Sequence, residues 1–286
     1  MKRRKPSRRS CRTHRMMWRR TKRSIAIALL TGLGLAAIAA PTMAAPATLN
    51  EELYAKLLQR HTRTVSDAAR VRVDYAALAR SSDWKHLVSS LSRSLPDRLP
   101  SREAKLAYWI NVYNIFAIDL VARNLPLQSI RDIGNFLKPV WIHEAGRIGG
   151  RAYSLHEIEH EILRPMGDSR IHAAIVCASV SCPALRREPW TADRVGVQLD
   201  DAMRSWLADP EKGLSLEPAA DTVILSPVFS WFKDDFEPVG GLAATIEKYG
   251  PPQAVEFVRE RGSRLDLDYF DYDWKLNDLA ARQPES

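Results

Sequence analysis

Residues Leu106 to Val121 read LAYWINVYNIFAIDLV, and they are apolar on nearly every side of a helix. Such a helix cannot sit on a surface; other elements must cover it all round. The pattern predicts a buried central helix from Arg102 to about Arg123, capped by Ser101 and ended by Asn124 and Pro126. Asn111 and Asn114 interrupt it three residues apart, on one face. A buried amide must find partners. These two therefore either tie down a neighbouring loop or line a polar binding pocket.

The other segments supply the cover. Asn50 is a suitable cap for a helix reaching about His61, and helical stretches run from Tyr75 to about Leu95, before Pro96 and Pro100 break the chain. A weak alternation spans Val71–Tyr75. A hairpin is predicted with Trp141-Ile142-His143 and Arg147-Ile148 flanking a turn at Glu144-Ala145-Gly146. Asp193 to Leu207 reads as a helix, Thr222 to Leu225 as a strand, residues 241–249 and 252–261 as short helices, and Leu265–Tyr269 as a further strand. The residues after about Asn277 read as a frayed tail. The sum is an α+β fold: a single compact domain with the buried central helix packed on a small mixed sheet and a mostly helical periphery.

The first 44 residues do not belong to that fold. They hold a basic head, an apolar run from Ile25 to Ala40, and the small-residue sequence Pro41-Thr42-Met43-Ala44. This is the pattern of a secretory signal peptide cut after Ala44. The run is shorter than the about 20 residues of a membrane span, so no stable anchor is expected after cleavage. The chain as a whole is +8, but twelve of its 42 Lys and Arg and none of its 34 acids lie in this head. Residues 45–286 are therefore left with 30 basic against 34 acidic groups, a net −4. Nucleic-acid binding loses its basic face, and a periplasmic location is expected. Residues 45–286 read as one domain, with its core at about 65–280.

Chemistry concentrates in Ser154–Pro183, SLHEIEHEILRPMGDSRIHAAIVCASVSCP. His156-Glu157-Ile158-Glu159-His160 matches the H-E-x-x-H zinc pattern. However, Ser154 and Glu157 also form S-x-x-E, a capping box that would occupy Glu157. Zinc would need a third ligand, which only His172 or a distant carboxylate could supply, so no metal and no cofactor are expected. Helical geometry sets Glu159 at the edge of the apolar face of Leu155, Ile158 and Ile162. A carboxylate there must pair or protonate; Arg164, Arg170 and His172 are the near partners, and orienting a catalytic histidine is the functional alternative.

Ile171 to Ala178, IHAAIVCA, reads as a buried strand, with His172 and Cys177 on opposite faces and roughly 17 Å apart. His172 then reads as a hydrogen-bonded core residue. Three readings stay open for Cys177: a bridge to Cys182, a thiol nucleophile at the strand end, or an inert buried thiol. The C-x-x-C spacing of thioredoxin-like redox enzymes is absent. As a nucleophile, Cys177 would use His160 or His143 as base and Glu159 as orienting acid.

The motifs WINVYN (109–114), SLHEIEHEILR (154–164), RIHAAIVCASVSCPAL (170–185), SPVFSWFKDDF (226–236) and LDYFDYDWKLND (267–278) together resemble the domain-of-unknown-function family 547. The resemblance runs from about residue 65 to 280. That family has no settled activity; it occurs in bacterial exported proteins and in plant proteins beside a leucine-zipper segment. The resemblance implies that Ile158-Glu159-His160 and Cys177 are characteristic. It also implies that the position of His156 is commonly another residue and that of Cys182 can be serine. It favours Glu159, His160, His172 and Cys177 as a shared polar centre. The expected function is an exported module binding a small-molecule, peptide or glycan ligand, with a polar centre backed by Asn111, Asn114, His143 and His172. A thiol-dependent hydrolase or acyl transferase built on Cys177, His160 and Glu159 is the alternative.

Overall fold

A computed structural model describes residues 48–281. The basic head and apolar run of residues 1–44, with the expected cleavage point, lie outside them. Helix α1 (Glu51–His61) starts where Asn50 Oδ1 accepts from Leu53 N–H at 2.9 Å, with Glu51 and Glu52 in its first turn. Strands β1 (Thr62–Thr64) and β2 (Val71–Val73) form a short antiparallel ladder. Helices α2 (Tyr75–Arg80) and α3 (Ser82–Ser90) follow, each with its own side-chain cap, from Asp74 and Ser81.

Helix α4 (Arg102–Asn124) is the predicted central helix, and Ser101 Oγ caps it through Ala104 N–H at 3.1 Å. Its residues from Leu106 to Ile118 are all buried. Ile110, Ile115 and Phe116 are wholly covered, and each such side chain stabilises the fold by about 1.5–3 kcal/mol. α2, α3 and the hairpin of β3 (Glu144–Ile148) and β4 (Arg151–Ser154) pack around it.

The hairpin turn lies later than the sequence reading placed it. Glu144-Ala145-Gly146 is strand, and the chain reverses at Gly149 and Gly150, both at positive φ (57° and 81°). Two successive positive φ values favour glycine, which settles the turn there. Gly146 has a different role: a Cβ at that position would collide with the Phe116 ring of α4.

Helix α5 (Val195–Leu207) joins two cores. Val195 and Leu199 belong to the core around α4, whereas Met203, Trp206 and Leu207 belong to a second one. The second core is built on a three-stranded mixed sheet. β5 (Leu214–Glu217) pairs antiparallel with β6 (Thr222–Leu225), and β6 pairs parallel with β7 (Asp266–Tyr269). Helices α6 (Pro227–Trp231), α7 (Lys233–Phe236), α8 (Gly241–Tyr249) and α9 (Pro252–Arg261) connect β6 to β7. A parallel neighbour requires a long crossover of this kind. The fold is thus α+β, with mostly helical surroundings. Among the described residues no helix is long and apolar enough to cross a membrane.

After β7 the chain returns to the first core. Val180 N–H donates to Lys275 C=O at 2.9 Å, Asn277 N–H to Ala178 C=O at 3.0 Å and Val73 N–H to Asn277 C=O at 2.9 Å. Asn277 is buried and accepts a 2.6 Å hydrogen bond from the Tyr75 hydroxyl. Just past Asn277, where a frayed tail was expected, Leu279–Ala281 form a further helical turn; residues 282–286 lie outside the described ones.

Candidate functional site

The most consequential departure from the sequence reading is at Ile171–Ala178. The predicted strand is absent. Ser169–Ala173 form a tight 3₁₀ turn capped by Asp168, and the chain then runs irregularly to Cys177. The cause is Asn114 on α4. Its amide donates to Ala174 C=O at 2.9 Å and accepts from Val176 N–H at 2.8 Å. A side chain thus takes the backbone groups that a neighbouring strand would have used. Asn111 acts in the same way on a second loop, donating to Trp190 C=O at 2.7 Å and accepting from Trp190 N–H at 3.0 Å. Both amides are buried, each donates once and accepts once, and neither lines the cavity described next.

A cavity of about 260 Å³ opens where the two cores meet. Glu159, His160, His172, Cys177 and Cys182 line its polar part, and Trp141, Trp231, Phe232, Tyr272 and Trp274 its aromatic part. Because Ile171–Ala178 is not extended, His172 and Cys177 are not set on opposite faces of a strand; they share this cavity. His143 lies apart, with its ring 3.0 Å from Lys138 C=O.

Glu159 and His160 sit on Glu157–Leu163, which winds as a π-helix, a rare geometry frequent at functional sites. The capping box at its start forms as predicted. Ser154 N–H donates to Glu157 Oε2 at 2.8 Å, and Glu157 N–H donates to Ser154 Oγ at 3.1 Å. Glu157 is therefore engaged at the helix start and also by Arg151. The rings of His156 and His160 stack at 4.3 Å. Among the described residues no three His, Cys, Asp or Glu side chains are grouped to hold a metal ion.

None of the cationic neighbours forms an ion pair with Glu159. Arg164 gives both arms of its fork to Asp235, at 2.7 and 2.8 Å, and Arg170 pairs with Asp168 and Asp200. Glu159 keeps the Tyr113 hydroxyl, at 3.3 Å. Burial therefore dominates, and its carboxyl is pushed up to about 7. Burial also lowers His160, to about 4, helped by the nearby His156 and Arg164. Arg164 Nη1 lies 2.8 Å from His160 Nδ1. A guanidinium only donates, so Nδ1 accepts and the His160 proton is on Nε2.

His172 is buried, stacks on Phe232 at 4.1 Å and sets Nε2 2.7 Å from Asp235 Oδ2. Burial outweighs this hydrogen bond and lowers the imidazole. Burial opposes ionisation of Asp235, but hydrogen bonds from His172 and Arg164 and their charges prevail and hold it below the usual carboxylate range. An ionised Asp235 accepts, so neutral His172 carries its proton on Nε2 and its basic lone pair on Nδ1.

Of the three readings open for the cysteines, the bridge is the one observed: Cys177 and Cys182 are joined by a disulfide. Cys177 is part-exposed and Cys182 is buried. The Tyr272 hydroxyl lies 3.3 Å from Cys177 Sγ and 3.2 Å from Cys182 Sγ, and Cys177 N–H donates to Cys182 Sγ at 3.0 Å. Ala178, next to the bridge, takes a positive φ of 64° that a non-glycine residue seldom adopts.

Asp235, Tyr272 and the Trp141–Trp231–Trp274 wall were not singled out as site residues from the sequence. Their signal was density: SPVFSWFKDDF and LDYFDYDWKLND pack aromatics and acids together, a pattern equally expected of core and surface. Trp231 and Trp274 stack at 5.8 Å, with Tyr272 4.5 Å from Trp274.

Residues 96–207 match the family model described as "Protein of unknown function, DUF547". The match takes in Asn111, Asn114, Glu159, His160, His172 and both cysteines, and ends before Asp235 and Tyr272. No curated protein and no solved structure matches the chain.

Proposed function

We propose that this chain, which carries a DUF547 domain over residues 96–207, is an exported binding protein whose ligand occupies the cavity between the two cores. The observation that carries the reading is the cavity's division of labour. One part of its lining holds a half-buried carboxyl that forms no ion pair among the described residues, with neutral imidazoles beside it; another is a wall of three tryptophans, one of them, Trp231, 50% exposed. Binding sites join apolar walls to a few polar groups in this way. The volume of about 260 Å³ lies just under the roughly 300–1,000 Å³ of drug-sized pockets, which suits a small molecule with a flat face and a hydrogen-bonding edge. Export rests on the pattern of residues 1–44.

The thiol-hydrolase alternative needs a free sulfur beside an imidazole. Here the sulfur of Cys177 is bonded to Cys182, and its hydrogen-bonding neighbours are Ser179 and Tyr272.

Ligand-observed NMR tests the binding site with monosaccharides, aromatic amino acids and nucleobases as probes. At least one class should show saturation transfer from the wild type and lose it with Trp231→Ala and Glu159→Ala. No transfer from any class, or transfer that both variants preserve, overturns the assignment. N-terminal sequencing of chain recovered from the cell envelope should begin at Ala45; an intact basic head would refute export.

A further inference from the structure

We propose that the Cys177–Cys182 disulfide is a thiol-exchange site, which opens on attack by a small thiol seated in the same cavity. The inference shares the cavity with the binding reading but does not depend on non-covalent affinity for any ligand. Two observations carry it.

The two sulfurs differ in access. Both residues line the cavity, but Cys177 is part-exposed while Cys182 is 4% exposed. A thiolate entering the cavity therefore meets Cys177 Sγ.

The sulfur that must leave is furnished with donors. Cys182 Sγ alone receives the Cys177 N–H, at 3.0 Å, and it shares the Tyr272 hydroxyl with Cys177 Sγ, at 3.2 and 3.3 Å. Ser179 Oγ donates to the Tyr272 oxygen at 3.0 Å, which leaves the phenolic proton for a sulfur. Burial raises the Tyr272 phenol above its ordinary range, so that proton is retained. Donors aimed at a sulfur lower the cost of forming a thiolate there, and a better leaving thiolate speeds exchange.

A thiol RSH gives up its proton to solvent and attacks Cys177 Sγ as thiolate. A bond forms between the R sulfur and Cys177 Sγ. The Cys177–Cys182 bond breaks, and its electron pair remains on Cys182 Sγ as a thiolate held by the Cys177 amide and Tyr272. The products are a mixed disulfide on Cys177 and a reduced Cys182, with no external oxidant. The spacing of five differs from C-x-x-C, so the donors come from the loop backbone and the C-terminal segment rather than from a helix start.

The test uses the full chain, oxidised and folded, with 2-mercaptoethanol as thiol, acid quenching and intact-mass analysis. The bridge should open under native conditions faster than global unfolding measured in parallel. Cys182→Ser, treated with oxidised glutathione, should accumulate one glutathione on Cys177. Cys177→Ser should leave Cys182 unmodified until denaturant is added. Tyr272→Phe should slow opening about tenfold, the loss of one hydrogen bond of about 1.4 kcal/mol in the transition state, while its urea midpoint is followed separately. Opening no faster than unfolding, equal modification of the two cysteines, or an unchanged rate in Tyr272→Phe would each overturn the proposal. Failure here leaves the NMR result intact, because saturation transfer does not require the bridge to open.

Discussion

Helix α4 and the π-helix beside it both carry polar side chains into the interior, but they treat them differently. Asn111 and Asn114 each donate and accept, and their partners are loop backbone. Glu159 has one long hydrogen bond and no ion pair, and its carboxyl rises to about 7 in consequence. A buried group with both its donor and its acceptor engaged is a structural part, whose removal strands its partners. An under-satisfied one costs stability, which proteins tolerate where a site needs it. The contrast separates the residues that shape the cavity from those that equip it.

The strongest way to break this comparison is Asn114→Ala. It leaves Ala174 C=O and Val176 N–H without partners, each costing about 1–3 kcal/mol, so a loss of roughly 4 kcal/mol in urea unfolding is expected. A loss below 1 kcal/mol would mean that Asn114 does not hold the loop to Cys177.

The second effect is a pH dependence. Glu159 ionises near 4.5 when unfolded but at about 7 when folded. The unfolded chain gains from ionisation first, so this group's stability contribution is full below about 4.5 and is lost as pH rises to about 7. The gap amounts to about 3 kcal/mol. Glu159→Gln should therefore gain on the wild type by that order between pH 4 and 8. His160 works in the opposite direction: its folded value of about 4 lies below the ordinary 6.5, so stability is lost as pH falls through that window. The two oppose each other in the wild type. His160→Asn should steepen the decline towards neutral pH, and unfolding midpoints across pH 4–8 measure both. Parallel curves for Glu159→Gln and wild type would remove the distinction drawn between the two helices.

The smallest effect sharpens the contrast within one helix. Ser154→Ala removes the capping box of the π-helix and should cost about 1 kcal/mol without altering the pH profile above about pH 5, since Glu159 and His160 lie beyond it and Glu157, which Ser154 helps hold below its ordinary value, titrates at lower pH.

The residues that read correctly from sequence share a property. The caps at Asn50 and Ser101, the Ser154–Glu157 box and the apolar girth of α4 all depend on neighbours within a few positions. The misreadings share the converse. IHAAIVCA has the composition of a buried strand, and nothing local reveals that an amide on α4 will claim its backbone. Trp141-Ile142-His143 was read as a strand because its residues suit one, whereas the glycine pair that takes positive φ lies at 149–150.

From the linear chain alone came the α+β class, the buried helix and the grouping of Glu159, His160, His172 and Cys177 within one short stretch. Periodicity and capping are local physics, and they survive in one dimension. Folding in space decided that Asp235 orients His172, that Asn114 bends the chain towards Cys177, and that Tyr272 reaches both sulfurs. Those partners lie 63, 62, 95 and 90 residues apart, and hydrogen bonds between positions so distant exist only once two cores have packed together.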